Sequence, residues 1–149
     1  MAYKSIASGY LVKEGKVLLV HHKKFDKWTP PGGHIEENET LDQAVVREWK
    51  EELDLDIHVI PAHENAFAGD ANATPIPMPF HIDLEREGFD VPHIGYFFYV
   101  RLQDPTQPIK VLETELKGFK WFAKEELQQI STFEQVRALA NYAIIHYPN

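Results

Sequence analysis

At 149 residues the chain suits one globular domain with a real hydrophobic core and is too short for two ordinary ones. Hydrophobic residues at 44% and charged residues at 26% lie near the globular average, which excludes disordered and fibrous architectures. Fifteen Lys and Arg against 23 Asp and Glu give a formal charge of -8, which argues against stable nucleic-acid binding but leaves an anionic small substrate open if metal ions or a local basic patch offset the field.

Ile6 to Val12 and Lys16 to Val20 are β-rich runs around Lys13-Glu14-Gly15, and the spacing predicts a hairpin with Gly15 in the turn. His21 to Lys27 is basic, and Trp28 to Gly33, with two prolines and two glycines, reads as an irregular loop. Thr40 to Leu53 is the best helix, with Thr40 and Gln43 spaced as a capping box. Asp56 to Ile60 predicts a strand. Residues 61 to 93 carry five of the ten prolines and weak periodicity, with a strand expected over Met78 to Leu84. Ile94 to Leu102 and Gly118 to Phe122 predict strands, and Thr132 to His146 a terminal helix. No regular βαβ rhythm appears, so the expected class is α/β in the broad sense (α+β): a mixed sheet with helices packed on it.

The chain has no cysteine, so any metal must sit on oxygen or imidazole. The eight histidines show no spacing specific for zinc. No basic leader and no run near the roughly 20 apolar residues of a membrane span is present, so a cytoplasmic protein without membrane partners is expected.

The helix carries the chemistry. At helical pitch Glu48 and Glu52 project within about 20° of Leu41, beside Ala44 and Val45, so two glutamates continue an apolar stripe. Val46, Trp49 and Leu53 form a second apolar stripe, and Glu51 flanks the glutamate pair on the other side. Like charges at this spacing destabilise a helix by roughly 0.2–0.5 kcal/mol per pair even when exposed. Anions near a helix C-terminus add about 0.3–1 kcal/mol each. A solvated charged face is the ordinary reading of such a run. Here the apolar stripe disfavours it, and a bound divalent cation would reverse both costs. Oxygen ligands suit magnesium, with manganese as substitute.

Read from Gly33, the chain fits G-x5-E-x7-R-E-U-x-E-E-x-G-U, with U a bulky apolar residue, at Gly33, Glu39, Arg47, Glu48, Trp49, Glu51, Glu52 and Leu55. This resembles the Nudix box. Pro31-Gly32-Gly33 resembles the family's lead-in, and Lys120 to Leu127 its last strand and following helix. The resemblance covers most of the chain apart from residues 61 to 93. It implies one Nudix hydrolase domain over residues 1–149, folded as an α/β/α sandwich with a central mixed sheet. It also implies a divalent-metal-dependent pyrophosphohydrolase that cleaves a diphosphate linkage in a nucleoside di- or triphosphate or a related nucleoside diphosphate compound. Homodimers are common in the family. Asp54 departs from the pattern where the box has its second glycine, and Asp tolerates the left-handed conformation that glycine serves there.

By the same resemblance Glu48 and Glu52 are the principal metal ligands, Glu51 a further one, and the Gly32 carbonyl completes the site. Arg47 and Glu39 resemble the pair that orients the carboxylates. The general base comes either from the box or from a loop outside it, where Glu115, six residues before Trp121, is the candidate; an ordinary strand-edge glutamate is the alternative. Lys23 and Lys24 lie in the one basic cluster and either receive a phosphate or decorate a solvated hairpin end. His34, after the glycines, is a contact candidate, and Trp28 either stacks on a base or anchors packing. Two other readings compete. A binding module of this fold, which senses a nucleotide without cutting it, typically loses box glutamates, and all four stand here. An isoprenoid diphosphate isomerase needs a cysteine acid or its equivalent.

Overall fold

The hairpin expected at the N-terminus forms, but from a shorter piece of chain. In a computed structural model, which describes residues 2–149, β1 (Lys4–Tyr10) and β2 (Val12–Lys13) are separate strands in different sheets. Only β2 pairs antiparallel with β3 (Lys16–His22). Glu14 and Gly15 turn between them, both at positive φ (54° and 75°), as a two-residue I′ turn requires. The predicted run breaks at Leu11 because β1 is claimed by other partners.

Those partners build a five-stranded mixed sheet. β1 runs antiparallel to β5 (Gly32–His34) and parallel to β8 (His93–Leu102), and β8 in turn pairs antiparallel with β6 (Ile57–Ile60) and β7 (His81–Glu85). The second sheet holds β2, β3, β4 (Lys27–Thr29) and β9 (Leu116–Ala123), with β3 at its centre. Trp28 to Gly33 is therefore not wholly irregular, since its ends are short strands in opposite sheets.

Helix α1 (Leu41–Leu53) starts where expected: the Thr40 amide donates to Gln43 Oε1 at 2.9 Å, as in a capping box. It ends on Asp54, at φ 56° in the left-handed region, so Asp fills the role of the missing glycine. Ala44, Val45, Trp49 and Leu53 are buried against Ala7, Phe98 and Val100 of the first sheet. Val46, expected in the second covered stripe, is exposed instead. Helix α2 (Glu134–His146) covers the opposite side, where Val136, Leu139, Ala140 and Ala143 join Tyr10, Phe97, Tyr99 and Phe122. Helix, sheets and helix form the expected sandwich. No helix among the described residues is long and apolar enough to cross a membrane.

Within residues 61 to 93 the strand begins at His81 rather than Met78, and the chain before it is an irregular loop. The loop is closed by the Ala62 amide on the Met78 carbonyl at 3.0 Å and anchored by Phe80, whose ring stacks on Tyr99 at 4.5 Å and on Tyr142 at 5.7 Å.

Candidate active site

The carboxylates of α1 meet the two glycines of β5. A Cβ on Gly33 would stand 2.4 Å from Glu48 Oε1, and one on Gly32 would stand 2.3 Å from the Ala7 carbonyl, so neither position tolerates a side chain without displacement. The Gly32 amide donates to Glu52 Oε2 at 3.0 Å. Glu52 is 2% exposed and has no cationic partner within 4 Å among the described residues. Burial, then the charge of Glu48, push its carboxyl well above the usual range. Glu48 is also raised, first by burial, although Arg47 opposes the shift.

Arg47 organises what surrounds them. Its Nε and Nη2 donate to both oxygens of Glu39 at 2.7 and 2.9 Å, its Nη1 to Glu48 at 3.0 Å and Glu51 at 3.3 Å, and its Nη2 to the His34 carbonyl at 2.9 Å. Hydrogen bonding to Arg47 holds Glu39 below the usual carboxylate range, and that to Glu39 raises the guanidinium further. Planar forked donors suit such a task.

Glu115 comes to the same place from the turn before β9. Ligand atoms of His22, Glu52 and Glu115 lie within 4.8 Å of one another, a grouping that fits a metal ion. His22, on the last position of β3, is the member that sequence reasoning passed over except as part of a basic run. Burial lowers its pKa and favours the neutral ring. The only advance signal was its place one residue before Lys23.

Apart from Glu39, these groups line one cleft of about 1080 Å³, just above the usual range for small-molecule sites. Lys23, Lys24 and His34 line it too, with Lys23 Nζ donating to the Glu113 carbonyl and Lys24 Nζ 5.5 Å from the Phe25 ring. His34 Nε2 lies 2.9 Å from Nε2 of buried His93. Since His93 Nδ1 faces the Val91 carbonyl at 2.7 Å, it carries the proton, and His34 is the donor of the pair. Trp28 lies apart: it packs edge-on against Phe122 at 4.9 Å, outside the cleft lining. The far end holds groups the sequence did not single out: Asp83 and Glu85 of β7, with Phe25, Phe89 and Phe133.

The family profile described as NUDIX domain matches residues 4–142, and the chain belongs to that family. It is a hydrolase acting on phosphoric anhydrides. A solved Nudix-family hydrolase from Clostridium perfringens superposes with a TM-score of 0.80 at 28% identity, covering 97% of this chain and 98% of that one. The asymmetrical bis(5'-nucleosyl)-tetraphosphatase of Sus scrofa is 24% identical over 120 residues, 80% of this chain and 68% of the relative. An 8-oxo-dGTP diphosphatase from Buchnera aphidicola subsp. Schizaphis graminum (strain Sg) is 36% identical over 61 residues, 38% of this chain and 47% of the relative.

Proposed function

We propose that this chain, acting as one hydrolase domain, is a divalent-metal-dependent pyrophosphohydrolase that cuts a diphosphate linkage in a nucleoside di- or triphosphate or a related nucleoside diphosphate compound. The observation that carries the reading is Glu52, a carboxylate buried without a cation beside Glu48 and Glu115. Burying like charges together is costly unless a cation joins them. The names of the pig and Buchnera relatives point to nucleotide anhydrides and support the substrate class.

Glu48, Glu51 and Glu52, with the Gly32 carbonyl, would hold magnesium, or manganese in its place, because hard oxygen donors suit both. Bound there, the cation supplies charge neutralisation for the diphosphate oxygens. The chain's own residues do the rest. Arg47 and Glu39 orient Glu48 and Glu51, so the carboxylates need little reorganisation when substrate arrives. Glu115 takes the proton of the attacking water: Glu48 and Glu51 are tied to Arg47, whereas Glu115 makes no ion pair among the described residues. Lys23 and Lys24 receive substrate phosphates along the cleft, which His34 lines beside them with its Nε2–H already given to His93. Small phosphorylated compounds are the partners this requires; nucleic acid and membrane are not, and the compartment is the cytoplasm.

A screen of nucleoside triphosphates, dinucleotides and nucleotide sugars with magnesium or manganese tests the proposal. Diphosphate cleavage that stops on chelation is expected. No turnover of any nucleotide anhydride would overturn it and favour a binding module.

A further inference from the structure

Beyond His22 the lining of the cleft turns aromatic. Three phenylalanines meet there from separate parts of the chain: Phe25 in the turn between β3 and β4, Phe89 in the loop between β7 and β8, and Phe133 at the N-terminal cap of α2. Phe25 meets Phe89 at 5.8 Å and Phe133 at 5.9 Å, both edge-on, so each ring fixes the next. Phe89 is backed by buried His93, whose ring stacks on it at 3.8 Å. Gly88, at φ 83°, lets the β7–β8 loop settle on the other two: a Cβ there would stand 3.2 Å from Phe25 and 3.3 Å from Phe133.

The wall is built, yet it is not closed. All three rings stay half-buried and open on the cleft. Lysine ammoniums hover over two of them, Lys24 Nζ 5.5 Å from the centre of Phe25 and Lys27 Nζ 5.3 Å from that of Phe133. A hydrated ammonium on a flexible stem can yield its place to a flat ring, whereas a packed core side chain cannot. Apolar surface kept open inside a cleft marks a binding site. What adjoins the wall identifies the occupant. The His22 ring stands 5.1 Å from the Phe25 ring, and a ring nitrogen of His22 lies within 4.8 Å of the Glu52 and Glu115 carboxylates, so one imidazole separates the wall from the acidic cluster. Lys23 and Lys24 follow His22 directly and line the same stretch. In a nucleotide, the flat group carried beside the phosphates is the base.

We propose that Phe25, Phe89 and Phe133 seat the base of the substrate against its π face, with its phosphates passing Lys24 toward Glu52. The inference rests on the nucleotide reading above and adds the residues that hold the base. Trp28, the stacking candidate of the sequence, lies outside the lining, so the role falls to the phenylalanines. Every base has a π face, so the wall detects the base as a whole and not one edge of it.

The test compares ATP with ribose 5-triphosphate, which carries the same sugar and phosphates without the base. With magnesium, the wild-type protein should show a KM for ATP about tenfold or more below that for ribose 5-triphosphate at similar kcat, in line with the strength of stacking on an aromatic side chain. Phe25→Leu and Phe89→Leu keep apolar bulk and lose the ring, and each should cut that preference about threefold or more. Equal KM values in the wild type would overturn the subsite even if neither variant folded. A preference unchanged in both folded variants, with KM raised alike for the two compounds, would show packing alone and overturn it too. If neither compound binds or reacts the subsite falls, and if no other nucleotide anhydride reacts either the nucleotide reading falls with it, which separates the two failures.

Discussion

Arg47 is the residue through which the acidic cluster keeps its shape. Five donor contacts tie it to Glu39, Glu48, Glu51 and the His34 carbonyl, and no compact point charge can reproduce that fork. Arg47→Lys keeps the charge and loses the geometry. It should leave the fold intact while lowering kcat about 10- to 100-fold and weakening manganese binding, the range seen when groups supporting metal ligands are removed. Turnover kinetics with calorimetric manganese titration check this; an unchanged kcat would show that the carboxylates orient themselves. Glu39, Arg47 and the three α1 glutamates were legible in the sequence because their spacing is fixed by one helix and one short loop.

At the scale of elements, legibility follows how local the cause is. Helix α1 is specified by its own cap, stripe and C-terminal Asp54, and the sequence places it within a residue. The split of β1 from β2 is not local. It depends on β5 and β8 occupying both edges of β1, and those strands lie far along the chain. The same holds for the cleft. His22 reaches Glu52 because β3 ends there, and Asp83 and Glu85 reach the floor because of the β7–β8 register, which a proline-rich stretch of weak periodicity does not disclose. Glu115 was found from its offset to Trp121, since both belong to the approach and body of β9. Trp28 stayed open in the sequence because a loop tryptophan beside glycines fits either stacking or packing, and the structure packs it on Phe122.

For the whole molecule, the site sets the direction of pH dependence. Glu48, Glu52 and Glu85 bind protons more tightly folded than unfolded, so their ionisation destabilises the fold as pH rises from about 4.5 upward, Glu85 completing its loss near 8. Glu39 and Asp26 are lowered instead, and their contribution is lost as pH falls below the ordinary carboxylate range. His22 and His34, lowered first by burial, add stability as pH rises toward the ordinary imidazole range, so metal-free protein should be most stable between about pH 5 and 6.5 and lose several degrees of melting temperature by about pH 8. Saturating magnesium or manganese should recover part of that loss at the higher pH. Calorimetric scans across pH with chelator and with metal read this, and a metal-free maximum above pH 7 would contradict it.

The central claim is that Glu52 carries a charge the fold does not want because the chemistry needs it. Glu52→Gln retains an oxygen for the Gly32 amide and removes the charge, and its turnover of a nucleotide anhydride is the most direct measurement. The account predicts loss of metal-dependent hydrolysis in a protein that still folds; retention of most of the wild-type rate would contradict it.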